Sequence, residues 1–175
     1  TDILDCLIEH DVAVNLSLDG IPPAQDLRSA GTWPVLDRKL DLMAAADPDW
    51  FASRLQVTMT LTPGNLEFFA DSVRSLMDRG VEAIGVSAAL SMVPDWDRDL
   101  EPVMNDHLSA IFTHSLRHFE ATGKVPFMSF RRYQEADLSG GPREGKCAAM
   151  DGRNPALDVD GRLYSCLMFV PSGAG

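Results

Sequence analysis

Segments with the patterns of strands and helices alternate along the first two thirds of the chain, and this order constrains the fold more than any other feature. The predicted strands cover residues 12–18, 56–62 and 83–89, and the predicted helices begin near Ile3, Pro34, Leu66 and Leu100. Parallel strands need long crossover connections, usually helices, whereas antiparallel strands can be joined by tight turns. The sequence therefore predicts an α/β fold with parallel strands and helical crossovers.

Proline, asparagine and glycine residues refine the predicted boundaries of these elements. Pro22-Pro23 predicts an extended loop, and Asn65 has the residue type of a helix N-cap. Gly80 and Gly123 are expected to end two helices. After Gly123 a short strand is predicted over 125–130.

The first two predicted strands have one apolar face and one small polar face. The polar residues are Asn15, Ser17, Thr58 and Thr60. A sheet covered by helices on both faces would carry apolar residues on both. The pattern therefore indicates an open or partial barrel with a polar concavity and functional groups at the carboxyl ends of its strands. The alternative is a sheet face exposed to solvent.

Charge and composition exclude several classes of protein. The chain has 15 basic and 26 acidic residues, a formal net charge of −11, which argues against nucleic-acid binding. No apolar run approaches the roughly 18 residues needed to span a bilayer, so no membrane partner is expected. Acidic residues near Thr1 are unlike a signal peptide, which predicts a cytoplasmic protein.

The cysteines give the most informative spacing. Asp160-Gly161 predicts a β-hairpin with a two-residue turn, in which Leu157 pairs with Tyr164 and Pro155 with Cys166. Cys147 lies eight residues before Pro155 and is expected to loop back toward Cys166. Two thiolates placed together in this way form a metal or cluster clamp, or else a disulfide.

The third cysteine, Cys6, lies on an apolar helical face, which predicts a packing role.

These cysteines carry a family resemblance. Cys147, thirteen residues, Gly161, four residues and Cys166 match the C-x(9–15)-G-x(4)-C opening of the SPASM and twitch domains of radical S-adenosylmethionine enzymes. The segment VAVNLSLDG, at 12–20, resembles the fourth barrel strand of that family. The segment VTMTLTPGNLEFF, at 57–69, resembles its fifth strand and the following helix start. The resemblance covers essentially the whole chain, in the right order.

The resemblance implies an architecture. Residues 1–123 resemble the C-terminal half of a partial (β/α)6 barrel, and residues 124–175 resemble a linker and the start of a small auxiliary-cluster domain. The family's C-x3-C-x2-C triad, which binds the cluster for S-adenosylmethionine, is absent from this sequence. The chain is therefore expected to be an internal fragment that is inactive alone.

The resemblance also implies an activity for the intact protein. Family members use [4Fe–4S] clusters to cleave S-adenosylmethionine to a 5′-deoxyadenosyl radical, and the implied substrate is a peptide or protein. By resemblance, Ser17 and Arg28 bind S-adenosylmethionine, and Cys147 and Cys166 ligate an auxiliary cluster. The family usually reads His-Asp-x-x-Arg around this arginine, where this chain reads Gln25-Asp26-Leu27-Arg28.

A second hypothesis stays open from the residues alone. It is a non-catalytic interaction module in which Cys147 and Cys166 form a zinc or disulfide clip. In addition, three parallel strands have two unpaired edges, so self-association through exposed sheet edges is expected.

Overall fold

The structure, a computed structural model, describes residues 3–89, 96, 99–134, 155–158 and 160–164. The chain forms two compact units, Thr1–Ala136 and Asp137–Gly175, and each is described by itself. Within the described residues, none of the helices combines the length and apolar character that crossing a membrane requires.

A three-stranded sheet is the centre of the first unit. Its strands are β1 (Val14–Ser17), β2 (Leu55–Leu61) and β3 (Ala83–Ala88), in the order β1-β2-β3. Both pairs are parallel, and helices lie between consecutive strands. The predicted α/β class with parallel strands and helical crossovers is confirmed.

Seven helices are present in the described residues. They are α1 (Ile3–Glu9), α2 (Pro22–Arg28), α3 (Trp33–Ala46), α4 (Pro48–Arg54), α5 (Phe69–Asp78), α6 (Glu101–Thr122) and α7 (Met128–Gln134). A 3₁₀ turn, Leu66–Phe68, precedes α5. Gly123 ends α6 as predicted, with φ +72°, the left-handed conformation that glycine adopts without a steric penalty.

The core lies on the apolar face of the sheet. Alternate residues of β2 are buried, from Leu55 to Leu61, because successive side chains of a strand point to opposite faces. Helices α3, α4, α5 and α6 contribute buried side chains to the same cluster, among them Leu40, Phe51, Val73 and Ile111. These four helices therefore cover the apolar face of the sheet.

The prediction of an extended loop at Pro22-Pro23 is wrong. Helix α2 begins at Pro22, and only Ile21 before it is extended, with φ −66° and ψ 162°. Proline fits the first turn of a helix because the N–H that it lacks has no partner there. The same rule explains α4, which begins at Pro48 and which the sequence analysis did not predict.

Two further local predictions are confirmed only in part. Asn65 is the N-cap residue of the 3₁₀ turn, but its side chain makes no capping hydrogen bond. Its side chain accepts a hydrogen bond from the Thr62 backbone N–H (2.8 Å) and donates one to the Thr60 carbonyl (2.8 Å). The strand predicted over 125–130 is reduced to one bridge between Phe127 and Ile84, after which α7 begins. Pro126, which has no N–H, cannot extend the ladder.

Residues 125–131 pack with the first unit. The Ile84 N–H donates to the Pro126 carbonyl (2.9 Å), and the Arg131 guanidinium donates to the Glu82 carbonyl. Phe127 is fully buried. The family-based division at residue 124 stays a prediction.

The outer side of β1 has no strand partner within the described residues. Self-association through exposed sheet edges stays a prediction.

Candidate functional site

The polar face of the sheet extends across all three strands. The strand register places Ser17 beside Thr58, Thr58 beside Gly85, and Thr60 beside Ser87. In parallel strands, paired residues point to the same face. The face carries Asn15, Ser17, Gln56, Thr58, Thr60, Gly85 and Ser87. None of these residues is fully buried, which agrees with the predicted polar face.

Hydrogen bonds between side chains cross this face. The Thr58 hydroxyl donates to Asn15 Oδ1 (2.9 Å) and accepts from Gln56 Nε2 (3.4 Å). A cavity of about 170 Å³ lies over β2 and β3, and Met128 and Ser129 also line it. The cavity has room for a small polar group or a few water molecules.

Ser17 ends β1 on the polar face. Its side chain is exposed, and its hydroxyl makes no hydrogen bond within the described part of the chain. A serine hydroxyl can both donate and accept, so Ser17 can contact a ligand at the carboxyl edge of the sheet.

Arg28 lies at the same edge. Its Nη1 donates to Asp19 Oδ1 (3.0 Å) and to Thr60 Oγ1 (3.0 Å), and its side chain is 34% exposed. Nε and Nη2 of Arg28 make no hydrogen bond among the described residues. One edge of the guanidinium is thus held by protein, and the other can donate to a ligand.

The structure brings the two predicted binding residues to one edge. Ser17 is paired with Thr58, and Arg28 bonds Thr60, which is two residues further along β2 on the same face. Same-face neighbours on a strand are about 7 Å apart. A ligand of amino-acid size can therefore contact both side chains.

Asp19 connects Arg28 to β2 at this edge, a role that no sequence pattern predicted. The side chain is 4% exposed, and its Oδ1 accepts from the Thr60 backbone N–H (2.8 Å) as well as from Arg28. A buried carboxylate requires such charged and hydrogen-bonding partners. The available signal was an aspartate directly before Gly20 at the end of a predicted strand.

Gln25 completes the arrangement around Asp19. Its Oε1 accepts from the Asp19 backbone N–H (3.0 Å), and its Nε2 donates to the Thr32 hydroxyl (3.1 Å). Gln25 and Arg28 are three residues apart on α2, a spacing that places both on one side of a helix. The Gln25 side chain therefore connects α2 to the end of the β1 segment.

Gly20 allows the loop after β1 to approach α5 closely. It has φ +107°, and a Cβ built on it would lie 2.1 Å from Cβ of Ser72. The Ser72 hydroxyl accepts a hydrogen bond from the Ile21 backbone N–H (3.2 Å). Only glycine satisfies both the backbone conformation and this contact.

The predicted hairpin is present in the second unit with a different register. Strands β4 (Ala156–Leu157) and β5 (Leu163–Tyr164) are antiparallel, and Ala156 pairs with Tyr164. The predicted pairing of Leu157 with Tyr164 is therefore wrong by one residue. The Gly161 N–H donates to the Asp158 carbonyl, and Gly161 has φ +79°, as in a three-residue loop with a glycine bulge.

Cys147 and Cys166 lie outside the described residues, so their proximity stays a prediction. Within the described ranges, no group of three or more histidine, cysteine, aspartate or glutamate side chains has the arrangement of a metal site.

Cys6 on α1 is exposed, which contradicts its predicted packing role. None of the residues of the short helix α1 is buried, so the helix provides no core in which Cys6 could pack.

Asp158 stabilises the hairpin loop as a carboxylate. The Arg162 backbone N–H, chiefly, and also the Tyr164 hydroxyl and the Asp160 N–H, lower the pKa of Asp158, against a smaller opposing effect of desolvation. The hydrogen bond to Asp158 raises the pKa of Tyr164.

Acid is therefore expected to loosen the loop. With a lowered pKa in the folded state, the carboxylate contributes its full stabilisation above the ordinary aspartate pKa of about 3.9 and loses it as the pH falls through the lower folded value. Amide exchange of Arg162 should accelerate, relative to its intrinsic rate, across that acidic range. In the Asp158→Asn variant this pH dependence should disappear, and its persistence would contradict the assignment.

Comparisons with known proteins add no family assignment. No protein-family model matches the chain, and no curated protein matches it.

Proposed function

We propose that this chain is part of a radical S-adenosylmethionine enzyme of the SPASM/twitch type that modifies a peptide or protein substrate. In this proposal residues 1–123 belong to a partial (β/α)6 barrel and residues 124–175 begin the auxiliary-cluster domain. The observation that supports it is the pair Ser17 and Arg28 at the carboxyl edge of a parallel sheet with a polar face. This is the edge at which barrel enzymes bind their ligands.

The side chains at this edge fit the amino-acid end of S-adenosylmethionine. A carboxylate pairs best with two parallel N–H donors, and Nε and Nη2 of Arg28 form such a fork. Its 34% exposure leaves room for an incoming ligand. The exposed Ser17 hydroxyl can donate to the carboxylate or to a ribose oxygen. Binding and orienting the ligand are the roles proposed for these two residues.

When bound next to a reduced cluster, S-adenosylmethionine supplies a 5′-deoxyadenosyl radical that removes a hydrogen atom from the substrate. The polar side chains over β2 and β3 line the cavity in which part of the ligand or substrate would lie. Cys147 and Cys166 are proposed as ligands of an auxiliary [4Fe–4S] cluster, because thiolates are its usual ligands.

Replacing Arg28 with alanine tests the proposal. In the complete protein, reconstituted with iron and sulfide without oxygen, Arg28→Ala should weaken S-adenosylmethionine binding by about 10- to 100-fold, the effect of losing a charge-assisted pair. Equilibrium dialysis with labelled ligand measures it.

Arg38→Ala is the matched control. Arg38 is exposed on α3 and makes no ion pair within the described residues. We expect its removal to leave the affinity unchanged. Equal affinities of the Arg28 and Arg38 variants would contradict the proposed S-adenosylmethionine site.

A further inference from the structure

We propose that Asp19 is a positioning residue, which holds the Arg28 guanidinium so that its free N–H edge meets the carboxylate of the ligand. This inference rests on the proposed function and extends it to a residue that does not itself contact the ligand.

Asp19 is buried and held by several contacts. Its carboxylate is 4% exposed and accepts from the backbone N–H of Thr60, which is inside β2. Its own backbone N–H is bonded to the buried side chain of Gln25. The next residue, Gly20, is in close contact with α5. Asp19 is thus linked by hydrogen bonds to β2 and α2, and the loop after it packs closely against α5.

Arg28 depends on Asp19 for its orientation. Arginine has a long, flexible side chain, and that of Arg28 is at the end of a seven-residue helix. Within the described residues its hydrogen bonds go only to Asp19 and Thr60, and both use Nη1. Of these two acceptors, only Asp19 is charged, so it forms the stronger bond.

Two donor groups of Arg28 remain available for a ligand. With Nη1 occupied, Nε and Nη2 are available on the opposite edge of the planar group, the edge that binds a carboxylate in a bidentate manner. An arginine held in advance loses less conformational freedom on binding and favours a planar anion in one orientation. The expected result is selectivity for ligands that carry the carboxylate.

The experiment compares Asp19→Asn with Asp26→Asn. Each variant removes one negative charge, but the exposed Asp26 on α2 accepts from the Gly31 N–H, whereas Asp19 accepts from Arg28. The first readout is the ratio of affinities for S-adenosylmethionine and its decarboxylated analogue in the complete protein. We expect Asp19→Asn to lower this ratio at least fivefold and Asp26→Asn to leave it within twofold.

The second readout needs no ligand. In the full 175-residue chain, NMR relaxation of the Arg28 Nε–H group should show a restricted side chain that becomes mobile in Asp19→Asn and stays restricted in Asp26→Asn. If Asp19→Asn does not fold, Thr60→Val removes the second acceptor and keeps both charges, so Arg28 should stay restricted by Asp19. A fully mobile Arg28 in Thr60→Val would overturn the proposal.

The outcomes separate this inference from the proposed function. If the unmodified protein binds S-adenosylmethionine more tightly than its decarboxylated analogue and Asp19→Asn keeps that difference, the positioning role is wrong and the proposed function stands. If the unmodified protein binds the two ligands equally well, the S-adenosylmethionine site is wrong, and the NMR comparison alone decides whether Asp19 holds Arg28. Equal effects of the two asparagine variants would reduce Asp19 to a general electrostatic influence and overturn the proposal.

Discussion

Gly20→Ala is expected to lower the free energy of unfolding by about 3 kcal/mol, since it combines a strained backbone with a steric overlap. A Cβ at this position would lie 2.1 Å from Cβ of Ser72 and 2.9 Å from its Cα, so rotation of the serine side chain cannot relieve the contact. Either α5 or the loop after β1 must move. Urea denaturation followed by circular dichroism measures the change.

Gly31→Ala is the control for this substitution. Gly31 also has a positive φ, +74°, but a Cβ there meets nothing within 4 Å. Its replacement should cost only the backbone strain, about 1 kcal/mol. A Gly20→Ala variant no less stable than Gly31→Ala would show that the loop and α5 are not in close contact.

If Cys147 and Cys166 ligate the proposed auxiliary cluster, replacing both with alanine is expected to remove it. A [4Fe–4S] cluster that loses two thiolate ligands should not assemble, so anaerobically reconstituted complete protein should lose about four iron atoms per chain. Iron and sulfide analysis, together with the visible absorption of the cluster, measures this loss. Cys6→Ala is the matched control, because Cys6 is an exposed thiol on α1. Its iron content should be that of the unmodified protein.

The same experiment distinguishes the two hypotheses for the cysteines. Unaltered iron content in the double variant would remove both cysteines as cluster ligands. In the unmodified protein, zinc bound in place of iron, or a disulfide between the two cysteines, would support the alternative of a non-catalytic interaction module.

The sheet could be predicted from the sequence because its signal is local. Residues of β2 alternate between apolar and polar from Leu55 to Leu61, and each of the two chemical classes faces one side. Parallel pairing follows from the intervening helices, and Ser17 and Thr60 then necessarily share a face. The polar face of the candidate site was therefore predictable to the level of single residues.

The organisation of the edge was not predictable from local patterns. Pro22-Pro23 can begin a helix as well as an extended loop, and the choice decides whether Gln25 and Arg28 share one side of a helix. The bond between Arg28 and Thr60 joins residues 32 positions apart, which no short motif encodes.

The predicted register of the hairpin was wrong for a different reason. Asp160-Gly161 fits both a two-residue turn and a three-residue loop ending in glycine, and the Asp158 side chain, which accepts from two N–H groups of the loop, favours the second.

The backbone N–H of Thr60 donates to the same carboxylate oxygen of Asp19 that accepts from Arg28. If the proposed site is correct, ligand selectivity and the stability of the sheet depend on the same atoms. Substitutions at Asp19 that alter ligand preference will also weaken the attachment of the β1–α2 loop to β2. Mutational adaptation of this edge to a new ligand is then limited by the loss of stability that the sheet can tolerate.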